Sequence, residues 1–418
     1  MAVGELGTNW SGNYAYRAAS LRRPQTLDEL QELVAGARTV RALGTRHSFT
    51  AIADADELIA LDRLPGAICV DRVAGTVSVP GHVTYAELAE ALHPEGVALQ
   101  NLASLPHISV AGAVATATHG SGNANGNLAT AVRRLELVTA SGELITATAG
   151  DRDFDGMVVS LGSLGIVTQL TLSVEPDYTM RQRVYVGLGW EALLENLAQI
   201  TATGASVSVF HRFGERTEQL WIKRRAGAGA FPDEMFGASA ATAAMHPVLG
   251  GDPINCTDQL GVPGPWSERL PHFRSGFTPS SGDELQSEFF VSREDAVSAI
   301  EAVRTLAASI IPLLLVCELR TVAADTLWLS PQYERDALAI HFTWRRQPDA
   351  VTALLRRIEA ALAPFAPRPH WGKVFTARAS AIAPEYERMD DFRALRRRLD
   401  PAGRFVNGWL RDRVLGTE

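Results

Sequence analysis

The side chains best suited to chemistry sit on two strand-like runs in the second half of the chain. Strand alternation in Leu314 to Arg320 places Leu315, Cys317 and Leu319 on one face. Glu318 and Arg320 point the other way, after Leu314 and Val316. In Ala337 to Trp344, Leu338, Ile340, Phe342 and Trp344 share an apolar face, and Ala339, His341 and Thr343 share the opposite one. A carboxylate, a guanidinium, an imidazole and a hydroxyl together offer directional hydrogen bonds of both senses, which suits a ligand with several hydroxyl groups. The plainer alternative is that these faces meet solvent, as one side of an antiparallel sheet commonly does. Arg368-Pro369-His370-Trp371-Gly372-Lys373 adds further cations and an aromatic ring.

Two segments of the first half could cradle a phosphate. Arg41-Ala42-Leu43-Gly44-Thr45-Arg46-His47-Ser48 follows a strand-like stretch, and a loop of small residues there exposes backbone N–H groups. Asn101 to Gly122 carries Ser104, Ser109, Gly112, Thr116, Thr118, His119 and Gly120 among many alanines, so a backbone there can approach a flat or charged ligand closely. It also fits a small-residue helix packed on a sheet. Other patterns fail on spacing. Gly120 to Gly126 is not a dinucleotide fingerprint. Gly162-Ser163-Leu164-Gly165 lacks the first glycine of a nucleophile elbow. His107 and His119 are not placed as a zinc-protease pair.

The elements needed to position these groups alternate along the chain. Thr26 reads as the N-cap of a helix with Leu27, Leu30 and Leu33 on one stripe. Val40 to Leu43 reads as a buried strand, Cys69 to Val79 as a hairpin, and Tyr85 to Leu92 as a helix. Leu135 to Thr148 reads as a second hairpin, Met157 to Leu161 as a short helix, and Gly165 to Val174 as a strand. Strands Ser206 to Phe213 and Gln219 to Arg224 follow, then an irregular stretch from Gly227 to Gly264. A strand before Arg293, a helix through Ala308 and a helix over Val351 to Leu362 complete an α+β pattern. The texture changes near residue 177. We expect a first domain over 1–177, a second over 178–375, and a C-terminal segment, 376–418, that returns to the first.

Length and composition set limits on partners. The 418 residues suit two or three domains, with 46% apolar residues to build cores. Lys and Arg total 39 against 47 Asp and Glu, a net charge of −8 that argues against a nucleic-acid partner. The longest near-apolar run, Ala307 to Cys317, is far short of a membrane span. No secretory signal is visible at the N-terminus, so a cytoplasmic location is expected. Cys69, Cys256 and Cys317 are too few and too scattered for a disulfide framework or a thiolate zinc site, and no metal is expected.

Together these stretches resemble the vanillyl-alcohol-oxidase-type (PCMH-type FAD-binding) flavoproteins, and within them the alditol oxidases. The resemblance begins with Asn9-Trp10-Ser11-Gly12-Asn13 and the Arg41 to Ser48 loop and continues through Asn101 to Gly122 and Asn255 to Trp266. It ends with Cys317 to Thr321, His341 to Trp344 and His370 to Lys373. It implies a two-domain fold: an FAD-binding domain and a cap domain with an antiparallel sheet that binds substrate. It also implies that His47 links covalently to the flavin 8α carbon, and that Arg41, Gly44, Thr45, Arg46 and Ser48 hold the pyrophosphate. Ser104, Ser109, Gly112, Thr116, Ala117, Thr118, His119, Gly120, Ile166 and Lys373 would contact the cofactor, Ile166 through its backbone. Ser104, Glu318, Arg320, His341, Thr343 and Lys373 would hold the polyol. Arg320 would also stabilise charge at the reduced ring, and His341 with Lys373 would take the hydroxyl proton. One departure stands out: Arg46 occupies a position where the wider superfamily often has glycine, which enters φ > 0 more readily. The implied activity is oxidation of a terminal alditol hydroxyl, as in xylitol or sorbitol, by dioxygen to give an aldose and hydrogen peroxide, in a monomer. The nearest alternative is a sugar-1,4-lactone oxidase or dehydrogenase. A binding module without turnover is the alternative from another class.

Overall fold

The computed structural model describes residues 6–276 and 283–416. Helix Leu27–Gly36 starts at Thr26, whose hydroxyl accepts from the Glu29 amide, and it buries Leu30 and Val34. Strands Ser20–Arg22, Glu57–Ile59 and Val40–Ala42 form a small parallel sheet. A five-stranded antiparallel sheet runs Cys69–Asp71, Thr76–Pro80, Ile166–Ser173, Val132–Val138, Leu144–Thr148 and contains both expected hairpins. Helix Tyr85–Leu92 is closed by a capping box between Thr84 and Glu87. The short helix expected over Met157 to Leu161 lies earlier, at Phe154–Val158. Leu161 and Gly162 take φ values of 53° and 65°, which no right-handed helix accommodates.

The second half is organised by a ten-stranded sheet. Its centre runs in the order Thr179–Val186, Gln219–Arg225, Ser206–His211, Leu314–Val322, Ala337–Arg345, Glu284–Ser292, Arg368–Pro369, with antiparallel neighbours throughout. Leu338, Ile340, Phe342 and Trp344 enter the main core, as alternation requires, alongside Cys317 and Leu319. Leu315 does not join them. A register shift between Leu314 and Val316 interrupts the alternation, and Leu314 takes the core position instead. Helix Pro348–Leu362 buries Val351, Leu354, Leu355, Ile358 and Leu362, and it packs on helix Ala296–Arg304.

The C-terminal segment reaches the N-terminal part of the chain through Arg404 to Asn407. Phe405 packs with Leu30, Val34 and Val40. Asn407 Nδ2 donates to the carbonyls of Ala51 and Asp54 at 2.9 and 2.8 Å. The Arg41 guanidinium donates to Phe405 O at 2.6 Å and also to Leu161 O.

Candidate active site

A cavity of about 780 Å³ lies between the loops of the first half and the large sheet. Strand register builds its floor. Glu318 faces His341, and His341 faces Glu288, across three adjacent strands. One row along, Val316, Thr343 and Gln286 are paired in the same way. Glu318, Arg320, His341, Thr343, Gln286 and Lys373 all line the cavity. The polar faces are therefore not turned to bulk solvent: Glu318 and Arg320 are each 4% exposed, and His341 is 6% exposed.

Two carboxylates near this floor are used differently. Glu288 lies beneath it, outside the cavity lining, with both oxygens engaged by cations. Its Oε1 accepts from Arg320 Nη2 at 2.7 Å and lies 3.1 Å from His119 Nε2, while its Oε2 accepts from Lys373 Nζ at 2.5 Å. Burial alone would raise its pKa, but the Lys373 and Arg320 cations hold it well below the usual carboxylate range. Glu318 keeps spare capacity. Its Oε1 is 2.9 Å from His272 Nε2, and among the described residues its Oε2 has only an ion pair at 3.5 Å with Arg320 Nε. It too is held ionised, by Arg320 and His272, against its burial. Arg320 reaches Ser104 Oγ at 3.4 Å, which brings the first half of the chain to the same point.

His341 sits between two partners. Its Nδ1 is 2.7 Å from Lys373 Nζ, and its Nε2 is 3.1 Å from Thr343 Oγ1. Burial and the Lys373 charge push its pKa down to about 4, so the ring is neutral at pH 7. Burial also lowers the pKa of Lys373, and Glu288 opposes that shift. His119, Glu288 and His370 place ligand-type atoms close together. Both Glu288 oxygens already accept from cations, which opposes a bound metal ion.

The other end of the cavity is lined by backbone and small residues. The two candidate loops meet there: the Ser109 amide donates to Thr45 Oγ1 at 3.2 Å. A Cβ at Gly44 would stand 2.7 Å from Ser109 Oγ, and one at Gly112 2.8 Å from the same atom. Arg41 to Ser48, Ser104, Ser109, Gly112, Thr116, Thr118 and His119 all line the cavity. Ala117, Gly120 and Ile166 do not. Ala117 and Ile166 are fully buried in apolar clusters, Ile166 beside Leu30 and Val34, and a Cβ on Gly120 would strike Leu102 O. At Ile166 a backbone contact alone remains, flanked by Gly165 and Val167 in the lining. Arg46 takes φ 63° without being glycine. Its guanidinium compensates by donating to Leu6 O at 2.7 Å and lying 5.6 Å over the Tyr16 ring.

His47 is braced from several sides. Trp10 stacks on it with ring centroids 5.6 Å apart, the Trp10 amide donates to Arg46 O at 2.8 Å, and Asn9 Nδ2 donates to Ser48 O at 2.9 Å. Its Nδ1 is buried and has no hydrogen-bond partner among the described residues. Burial, then the His107 charge, lower its pKa to about 4. A long cavity, bare glycine backbone at one end and an orphaned neutral imidazole on its wall fit an elongated dinucleotide such as FAD.

Sequence reasoning missed Glu288, Gln286, His272 and Lys223. Glu284, Gln286 and Glu288 alternate with Leu285, Ser287 and Phe289 in strand Glu284–Ser292, and that period-two pattern is the signal for the first two. No local pattern marks His272 or Lys223.

Comparison with known proteins places this architecture. A family model for an FAD binding domain matches residues 18–148, and one for D-arabinono-1,4-lactone oxidase matches residues 284–413. An alditol oxidase of a Streptomyces species is 50% identical over 414 residues, covering 98% of this chain and 99% of that one. An L-gulono-1,4-lactone dehydrogenase of Mycobacterium tuberculosis is 29% identical over 98% of this chain and 99% of its own length. Among solved structures, a cholesterol oxidase from B. sterolicum superposes with a TM-score of 0.77 over 96% of this chain and 95% of that one. Its 15% identity carries the fold alone.

Proposed function

This chain belongs to the alditol oxidase family of FAD-dependent flavoproteins, and from that premise we propose that it oxidises the terminal hydroxyl of alditols such as xylitol and sorbitol to the aldose, with dioxygen reduced to hydrogen peroxide. We read residues 1–177 with 376–418 as the cofactor-binding unit and 178–375 as the substrate cap. The observation that carries the substrate class is the pairing of a spare, ionised acceptor (Glu318) with buried donors (Arg320, Lys373) on one cavity floor. A polyol has hydroxyls that donate to the first and accept from the second.

His47 is the proposed point of covalent attachment. A neutral imidazole with a free lone pair is a nucleophile, and the Trp10 stack keeps the ring in place. Thr45, Ser109 and the backbone beside Gly44 and Gly112 would hold the phosphates. Bound there, FAD supplies the two-electron redox chemistry that oxidation of a carbinol needs.

The chain's own residues handle the proton and the charge. Arg320, kept cationic by Glu318 and Glu288 despite its burial, offers fixed positive charge where oxygen becomes anionic. Lys373 and His341 form one acid–base unit. While Lys373 is an ammonium, it occupies His341 Nδ1, so the ring proton stays on Nε2 against Thr343. Once Lys373 is neutral, its Nζ accepts from Nδ1–H, and Nε2 becomes the free lone pair that takes the hydroxyl proton. Burial moves Lys373 toward that neutral form.

A substrate panel tests the proposal. Purified holoenzyme should form peroxide and aldose in equal amounts from xylitol and sorbitol. Turnover of L-gulono-1,4-lactone with none of any polyol would overturn the assignment in favour of the lactone reading.

A further inference from the structure

A polar chain runs from Lys223, outside the cavity lining, through His272 on the cavity wall to Glu318, and neither Lys223 nor His272 has a role above. Lys223, on strand Gln219–Arg225, is 1% exposed. Its Nζ donates to Leu270 O at 2.5 Å and Pro271 O at 3.0 Å, and it lies 3.3 Å from His272 Nδ1. His272 Nε2 in turn lies 2.9 Å from Glu318 Oε1. Receiving an N–H at Nδ1 keeps the ring proton on Nε2, so His272 donates to Glu318. Phe210 and Trp221 hold the ring edge-on, with centroids 5.4 and 5.3 Å away. The same residue fastens the opposite wall: the His272 amide donates to Ser104 O at 3.2 Å, and its carbonyl accepts from the Thr257 amide at 3.0 Å.

We propose that His272, held by Lys223, is a positioning residue for substrate recognition, fixing Glu318 as an acceptor with Oε2 left open for polyol hydroxyls. The inference rests on the alditol reading above. Glu288, outside the cavity lining and with both oxygens engaged by cations, cannot serve as such an acceptor, whereas Glu318 can only while its Oε1 is tied by His272. Without that tie Glu318 rotates onto Arg320, already 3.5 Å away, and the closed pair withdraws both substrate partners. His272→Leu should fold, because Lys223 retains the Leu270 and Pro271 carbonyls.

The test is a double-mutant cycle of His272→Leu and Glu318→Gln, with KM and kcat for xylitol, melting temperature, and xylose binding read from the flavin absorbance. A lost hydrogen bond to a charged group predicts a KM for His272→Leu raised roughly 10- to 100-fold, with kcat changed by less than about threefold. Xylose binding should weaken in parallel, and His272→Gln, which keeps an N–H, should recover most of the loss. In the Glu318→Gln background the same substitution should change KM by less than about threefold. Additive effects across the cycle, or an unchanged KM in a His272→Leu protein that melts like wild type, would overturn the inference. Should His272→Leu fail to fold, Lys223→Met replaces it in the cycle, with a KM rise that must again vanish beside Glu318→Gln; additivity there overturns the inference equally. Failure of wild-type enzyme to turn over any polyol would instead refute the function on which it rests.

Discussion

Replacing Glu288 by glutamine should move the pH dependence of catalysis rather than simply abolish it. The Glu288 side chain is fully buried, with Oε2 2.5 Å from Lys373 Nζ and Oε1 2.7 Å from Arg320 Nη2. Removing one partner of a buried ion pair costs roughly 3–5 kcal/mol. One pKa unit corresponds to about 1.4 kcal/mol, so the Lys373 ammonium loses roughly 2–4 units of its support. The glutamine carbonyl still accepts one N–H, which favours the low end, about 2 units. The sign follows from the mechanism: neutral Lys373 frees His341 Nε2, so kcat/KM rises with pH through the Lys373 pKa. Glu288→Gln should therefore shift that rising limb about 2 units toward acid. The alkaline plateau should stay within about tenfold of wild type, since His272 still ties Glu318 Oε1 and holds it apart from Arg320. The assay is kcat/KM for xylitol by peroxide release across the pH range, with the melting temperature as a check on folding. A limb that stays in place, or moves toward alkali, would show that Glu288 does not set the charge of Lys373.

Other substitutions follow from the same geometry. Acid-precipitated wild-type protein should keep its yellow colour in the pellet, and His47→Ala should lose it to the supernatant; colour retained by the variant would exclude His47 as the attachment point. Arg46→Ala keeps the φ 63° backbone but loses the Leu6 and Tyr16 contacts, whereas Arg46→Gly relieves the strain. In urea unfolding the glycine variant should be about 1 kcal/mol more stable than the alanine one, and equal stabilities would deny the strain. His211 is buried between Trp190 and Phe213, and burial lowers its pKa from 6.5 to about 3. Because the unfolded chain binds that proton more tightly, stability is present above pH 6.5 and falls as pH drops toward 3, by about 2 kcal/mol between pH 7 and pH 5. His211→Phe should remove that part of the acid sensitivity, measured as the difference between denaturation curves at the two pH values.

Much of the site was written in strand periodicity. Alternation alone placed Glu318, Arg320, His341 and Thr343 on one side and Phe342 and Trp344 on the other, because a sheet with one buried apolar face leaves no other register. It failed at Leu315, where the bulge adds a residue that no composition signal announces. Glu288 was legible in the same way but was hidden in a segment read only as a strand before Arg293. Lys223 and His272 were not legible. A lysine in Gln-Leu-Trp-Ile-Lys-Arg-Arg reads as solvated, and its burial depends on carbonyls of Leu270 and Pro271, 47 and 48 residues later in the chain. The αL conformation of Arg46 was likewise set by distant partners, Leu6 and Tyr16, rather than by local propensity.

The most direct measurement of the central claim is an anaerobic titration of the purified holoenzyme with xylitol. The account predicts that the visible flavin absorbance bleaches in proportion to xylose formed, then returns when oxygen is admitted, with one equivalent of hydrogen peroxide released. An absorbance that xylitol and sorbitol leave unchanged, in protein that carries its full complement of flavin, would contradict it.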